Sequence, residues 1–447
     1  MLALFKSGDT LNKFIHCNDI YGRNQRKECN ANGGLVKKLS MMLAGAVMSV
    51  GLSAYAHGPV DFSKFNPKEN EKDIFLTIGA DALRPAKMTF KQHLDVLEVR
   101  DGIAVIRTKE SATEYLSHLM HDTFQRCGGF MYHDNPEDAR MELYSADMRD
   151  LAAKAIFADY SINQQDTVES LISQVNASEI ETTIRKLSSY KNRYYQSTYG
   201  VQSQEWIKQR WTELAQGRSD VKVELFQHAA WKQPSVVLTI EGSENPNEVV
   251  VVGGHADSIS GWFGGNEINA PGADDNASGM SSITEIIRVL MESSYRPSKT
   301  IQFMGYAAEE VGLRGSKEIA TSYRNAGRNV VGVLQLDMTN FKGSESFDIV
   351  MMTDFTNADQ NEFLGRIIDE YLEGLRWGYD KCGYGCSDHA SWHSQGFPAS
   401  MPFEARKNDM NKKIHTANDT IDVSRGTATH AAKFSQLGLA FVVELDR

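Results

Sequence analysis

One run limits the folds open to this chain: Val249-Val250-Val251-Val252-Gly253-Gly254-His255-Ala256-Asp257. An apolar, β-branched run with no polar alternation reads as a strand buried on both faces, and such strands belong to sheets covered by helices on each side. Glycines end the run, and a histidine and an aspartate follow at once. Gly272-Ala273-Asp274-Asp275-Asn276-Ala277-Ser278-Gly279 then supplies an acidic turn and a helix start near Ser278. A histidine closing a buried strand, with carboxylates on the next loop, is half of a metal site.

From about residue 160 to 447, strand and helix patterns alternate. Strands are expected over 236–240, 249–254, 300–306, 331–336, 347–353 and 398–403. Helices are expected over 165–190, 200–216, 278–291, 313–326, 359–372 and 427–444. This alternation predicts an α/β sheet with helices on both faces. A formal net charge of -11 argues against nucleic acid or an anionic membrane surface as the main partner.

Ahead of this lies a region with its own organisation, 57–159. Segments 94–100 and 103–107 flank Asp101-Gly102, a two-residue hairpin signal. Ser111-Ala112-Thr113-Glu114 reads as a capping box opening a helix, with Tyr115, Leu116, Leu119, Met120 and Phe124 at helical spacing. Cys127-Gly128-Gly129 closes that helix, and His118 and His121 on it read as surface histidines. Hairpin and helix together predict a small α+β unit without chemistry of its own, a candidate pro-segment.

Lys37-Lys38, an apolar stretch to Ser53 and Ala54-Tyr55-Ala56 read as a secretory signal peptide over 37–56, cut after Ala56. Residues 1–36 are polar and aperiodic, and are expected to be a non-structural extension upstream of the true start near Leu35 or Val36. The mature protein is therefore expected to be exported, extracellular or periplasmic, and not membrane-embedded.

Three apolar strands end in candidate ligands: 249–254 at His255, 300–306 through Ala307-Ala308 at Glu309-Glu310, and 331–336 at Asp337. In an open α/β sheet, sites form outside the carboxyl ends of the strands. Asp274 and Asp275 lie on the loop after the first strand, and His415 lies in a polar loop before the last helix. Two histidines and three carboxylates without cysteine suit catalytic rather than structural zinc. Five ligands exceed one open tetrahedral site and suit two metals, about 3.5–4 Å apart, sharing a carboxylate. One acid of the Glu309-Glu310 pair is then left to handle protons. The spacing alone does not choose between Glu309 and Glu310, or between Asp274 and Asp275.

At these positions the chain resembles the secreted bacterial leucyl aminopeptidases of the co-catalytic two-zinc family. The matching segments are Gly254-His255-Ala256-Asp257, Ala270 to Gly279, Tyr306 to Ser316, Leu334-Gln335-Leu336-Asp337-Met338, Cys382 to His389 and Ile414-His415-Thr416. The resemblance implies a mixed, largely parallel sheet of the zinc-dependent exopeptidase type over 160–447, with 57–159 as a removable propeptide that acts as an intramolecular partner. It implies two zinc ions per chain, one held by His255 and Asp337, the other by Glu310 and His415, with Asp275 bridging. Glu309 would be the general base, and Asp257 and Asp419 would orient His255 and His415 from behind. Met338, Tyr384, Met401, Phe403 and Ile414 would line a pocket for an apolar N-terminal side chain, and Cys382 and Cys386 would form a disulfide. Peptides with a free N-terminus, Leu-like residues first, are the implied substrates of a monomeric enzyme. Arg406-Lys407 departs from the aromatic that close relatives carry at the second position, which loosens the implied leucine preference. The rival readings are another metallohydrolase on this fold (a carboxypeptidase, deacetylase or glutaminyl cyclase) and an inactive binding module on the peptidase scaffold.

Overall fold

The computed structural model describes residues 61–446 except 125, 127, 145–156, 158–159 and 262–265. The expected signal peptide, the extension before it and Cys127 lie outside the described residues. The described residues from Asp61 to Asp446 belong to one compact unit. The leading region is thus packed on the main domain, although it keeps its own sheet and its own hydrophobic core.

That small sheet has the order β2-β3-β1-β4, with β1 Asp73–Gly79, β2 Asp95–Arg100, β3 Ile103–Lys109 and β4 Phe130–His133, paired antiparallel. The β2–β3 hairpin turns at Asp101 and Gly102, both at positive φ (48° and 83°), as the Asp-Gly pair predicts. The helix Ala112–Phe124 follows. Its expected capping box does not form. The Ser111 N–H donates to Glu71 rather than Glu114, and Glu114 accepts a hydrogen bond from Tyr194 of the main domain. A tertiary partner has taken the carboxylate that local geometry would have used.

The main sheet has the order β12-β9-β7-β8-β6-β5: β5 Val221–Phe226, β6 Ser235–Ile240, β7 Asn245–His255, β8 Lys299–Tyr306, β9 Asn329–Gln335 and β12 Ala399–Ser400. Strands β12, β9, β7 and β8 run parallel, while β6 and β5 are antiparallel additions at one edge. Alternate residues of β7 serve opposite faces. Val250 and Val252 pack with the helices Ala277–Glu292 and Thr429–Leu445. Val249 and Val251 pack with Ile319 and Ala320 of the helix Arg314–Asn325, and with Trp392. Burial on both faces is why the run carries no polar alternation. A second sheet joins β10 Ile349–Met352, β11 Trp377–Asp380 and β13 Pro402–Phe403.

Two expected elements are divided. The helix expected over 165–190 is two helices, Gln165–Ile172 and Ala177–Ser188. Asn176 separates them, its side chain capping Ser178 and its N–H donating to Glu285 of the helix beneath. The strand expected over 398–403 is two bridges in different sheets, Ala399–Ser400 against β9 and Pro402–Phe403 against β10. The break at Met401 turns this segment from one sheet to the other.

Candidate metal centre

Strands β7, β8 and β9 end side by side, so their carboxyl ends deliver His255, Glu309-Glu310 and Asp337 to one edge of the sheet. Asp275 precedes the helix Ala277–Glu292. That helix can press against the exit of β9 because position 279 is glycine, where a Cβ would sit 2.1 Å from the Leu336 carbonyl oxygen. Asn276 fixes the junction. Its amide donates to the His255 and Leu336 carbonyls and its oxygen accepts from the Gly279 and Met338 amides.

His255 Nε2 lies 3.1 Å from Asp275 Oδ1 and 3.3 Å from Asp337 Oδ1. His415 Nε2 lies 3.1 Å from Asp275 Oδ2 and 2.7 Å from Glu310 Oε2. The two oxygens of Asp275 therefore face two different histidines. Two groups of buried donor atoms result, His255/Asp275/Asp337 and Asp275/Glu310/His415, with Asp275 common to both. Glu309 lies beside Glu310, close to His255 in a third group.

These side chains fit a metal on a physical test. The carboxylate oxygens of Glu309, Glu310 and Asp337 and both ring nitrogens of His255 and His415 are buried without a hydrogen bond. Buried polar atoms left unpaired are costly and rare, so a cluster of them facing inward calls for cations. Burial, followed by neighbouring carboxylates, pushes Glu310 well above the usual carboxylate range, and burial does the same to Glu309. Burial works against a charged His255, yet Asp337 and Glu309, with Asp257 and Asp275 beside the ring, outweigh it and hold its pKa well up. Burial also opposes ionisation of Asp275, but His255 and His415 hold its carboxyl far below its ordinary value. Such opposed shifts within one cluster mark a functional site.

The two supporting acids also hold backbone amides. Asp257 lies 3.5 Å from His255 Nδ1, and its two oxygens accept the Glu309 and Glu310 backbone N–H groups at 3.1 and 3.2 Å. It fixes the loop that carries Glu309 and Glu310 more closely than it fixes the imidazole. Asp419 does not reach His415. It accepts the Asp274 and Asp275 N–H groups and the Asn411 amide, so it fixes the turn that carries Asp275 instead. Its position four residues past His415 suggested the wrong partner, because the chain turns away between them.

Met338, Tyr384, Met401, Phe403 and Ile414 come together in one buried cluster with Val350, Met352 and Met410. Lys407 Nζ stands 5.8 Å from the centre of the Tyr384 ring. Cys382 and Cys386 are disulfide-bonded beside this cluster. His118 and His121 are not surface histidines. His118 is buried, and the His121 ring packs 4.7 Å from the ring of His415.

Several residues escaped the sequence reading. Arg193 is buried and donates to the carbonyls of Ala256, Pro271 and Gly272, clamping the loop that bears Asp275. Its signal, an arginine before two tyrosines, carries no periodicity. Asp388 is buried near His255 and accepts from Gln335, and burial lifts its carboxyl to about 7. Glu404 accepts from the Phe341 N–H and hydrogen-bonds Asp274.

An α/β sheet bearing a buried histidine–carboxylate centre at its strand ends defines a metallohydrolase. The chain belongs to peptidase family M28, whose model matches residues 235–438, and it is a zinc-dependent aminopeptidase. It is 37% identical over 312 residues to leucine aminopeptidase 1 of Arthroderma otae, covering 66% of this chain and 81% of that protein. Leucine aminopeptidase 1 of Coccidioides posadasii is 35% identical over 297 residues, covering 64% and 75%. Among solved structures, LapB of Legionella pneumophila matches with a TM-score of 0.69 at 30% identity, over 84% of this chain and all of that one. LapA aminopeptidase of the same organism matches with a TM-score of 0.69 at 28% identity, over 84% and 99%. Residues 160–447 make up less than two thirds of the chain, so the likeness to LapB and LapA reaches back into the leading region. Among the described residues no helix is long and apolar enough to cross a membrane.

Proposed function

We propose that this protein removes N-terminal residues, large apolar ones first, from peptides, using two zinc ions and Glu309 as general base. The observation that carries the proposal is Asp275, whose two oxygens face His255 and His415 separately. On this reading His255 and Asp337 would hold one zinc, Glu310 and His415 the other, and Asp275 would serve both. Bound there, zinc would polarise the scissile carbonyl and lower the pKa of an attacking water. Glu309 accepts the proton of that water and returns it to the departing amine. Its burial raises its proton affinity, which suits that exchange near neutral pH. Leucine preference draws support from the relatives' names and from the apolar cluster Met338, Tyr384, Met401, Phe403 and Ile414.

The test is zinc analysis together with kinetics on a leucine anilide and its N-acetyl form. About two zinc ions per chain and turnover of the free-amine substrate alone are expected. Preference for the blocked substrate would sink the proposal and favour a different hydrolase of this fold. Retained zinc with no turnover would favour the inactive scaffold.

We further read residues 57–159 as a propeptide that covers the centre before export is complete, with 37–56 as the export signal. A Cβ at Gly128 would lie 3.5 Å from the Glu309 carbonyl oxygen and 3.8 Å from its Oε1, so this backbone passes directly over the base. Ser117 donates to the Glu310 carbonyl, and Arg126 stacks 4.6 Å from the centre of the Tyr384 ring. The intact chain is expected to turn over the anilide at least about 100-fold more slowly than the chain cut near residue 160, since the cover displaces water and substrate from the general base. A time course of limited proteolysis, followed by mass and activity, checks this. Equal activity of the cut and uncut chains would make the region a permanent accessory.

A further inference from the structure

Beyond the covered centre, the leading region presents two carboxylates to the main domain. Tyr194 donates to Glu114 Oε1 at 2.5 Å. Arg314 Nη2 donates to Glu110 Oε1 at 3.2 Å, and its guanidinium lies 5.1 Å from the centre of the Trp231 ring and 4.6 Å from that of Tyr132, a residue of the leading region. Tyr194 and Tyr195 pack with Ala308 and Val311, on either side of Glu309-Glu310, and with Trp231 and Ile259. An aromatic surface with two donors at its edge therefore adjoins the general base. An open groove of about 430 Å³ runs along the edge of this contact, with Glu110 and Glu114 on the leading region's side and Tyr195 and Arg314 on the main domain's.

We infer that this surface receives the downstream part of the peptide substrate, and that Tyr194 and Arg314 bind a carboxylate there. The inference rests on the aminopeptidase reading and on removal of the leading region. Glu110 and Glu114 are the stand-ins. Once they leave, Tyr194 and Arg314 lose the acceptors they hold in the covered state. The helix Ala112–Phe124 gives the spacing. Ser117 touches the Glu310 loop and His121 touches His415, while Glu114 lies about 5–10 Å back along the axis at about 1.5 Å per residue. An extended peptide advances about 3.3 Å per residue, so the carboxylate falls about two or three residues past the scissile bond. It can come from an acidic side chain or from the C-terminus of a short peptide.

The experiment uses the processed enzyme as purified, its N-terminus fixed by mass spectrometry, at low ionic strength. One pair of substrates is Leu-Ala-Glu-Ala-amide and Leu-Ala-Gln-Ala-amide. The other is Leu-Ala-Ala with a free or an amidated C-terminus, and a leucine anilide is assayed in parallel. A preference in kcat/KM of about tenfold for the carboxylate member of at least one pair is expected, the scale of a hydrogen-bonded charge. The pair that shows it identifies the source. The preference should fall toward one in Arg314→Gln and shrink in Tyr194→Phe, and it should fade with salt. Turnover of the anilide with ratios near one in both pairs, or a preference untouched by either substitution, overturns the inference. No turnover of the anilide by the processed enzyme removes the aminopeptidase reading itself, and this inference with it.

Discussion

Glu309→Gln is expected to lower kcat for a leucine anilide by about two to four orders of magnitude while leaving zinc content unchanged. Glutamine keeps the volume of the side chain in a fully buried position, so packing is preserved. It cannot accept the proton of an attacking water. Neither Glu309 oxygen has a hydrogen-bond partner, which leaves the carboxylate free to exchange that proton. Its backbone is already fixed through Asp257, so the carboxylate is presented without a search for its place. Two measurements decide the matter, single-turnover kinetics and zinc per chain. A kcat within tenfold of the unaltered enzyme would refute the role of base. Loss of a zinc ion would make Glu309 a ligand, for which its place beside His255 and Glu310 gives a structural precedent.

The candidate centre was legible in the sequence because its residues sit where a periodic pattern stops. His255, Glu310 and Asp337 each follow an apolar run, and parallel pairing of β8, β7 and β9 then leaves them adjacent. Arg193, Asn276 and Glu404 follow no such pattern. Their work is to satisfy carbonyls and amides on segments distant in sequence, and that demand exists only once the chain is folded. The misreading of Asp419 has the same source. Nearness along the chain suggested His415, whereas the fold gives it the amides of Asp274 and Asp275. The capping box failed because Tyr194 holds Glu114, a partner no local rule could supply. The two histidines on the same helix looked like surface residues because the sequence does not reveal that the helix lies against His415.

Stripping the metal is expected to abolish activity and to lower the melting temperature, by an amount that grows with pH between about 5 and 8. In the metal-free protein, burial raises the pKa values of Glu309 and Glu310, with the neighbouring Glu310 adding to the first and Asp275 to the second. Between the unfolded carboxylate value and the raised folded value, the native state holds protons that the unfolded chain has released. Stability therefore falls as pH rises through this window. His255 acts in the same direction. Its folded pKa lies above 6.5, so the stability it contributes is complete below that value and is lost as pH rises through the folded pKa. Asp275 is held low, so its contribution is constant across the window and is lost only under strong acid. Metal binding has the opposite dependence, because its ligands must be deprotonated and acidification expels it. A ligand at a thousand times its Kd adds about 4 kcal/mol, which in a domain of this size corresponds to a shift on the order of 10 °C. Calorimetry of the chelated and zinc-loaded protein at pH 5.5, 6.5 and 7.5 reads this directly. A gap in melting temperature that widens steadily with pH is the expected result. A gap that stays constant or narrows would mean that these buried acids are not what the cations neutralise.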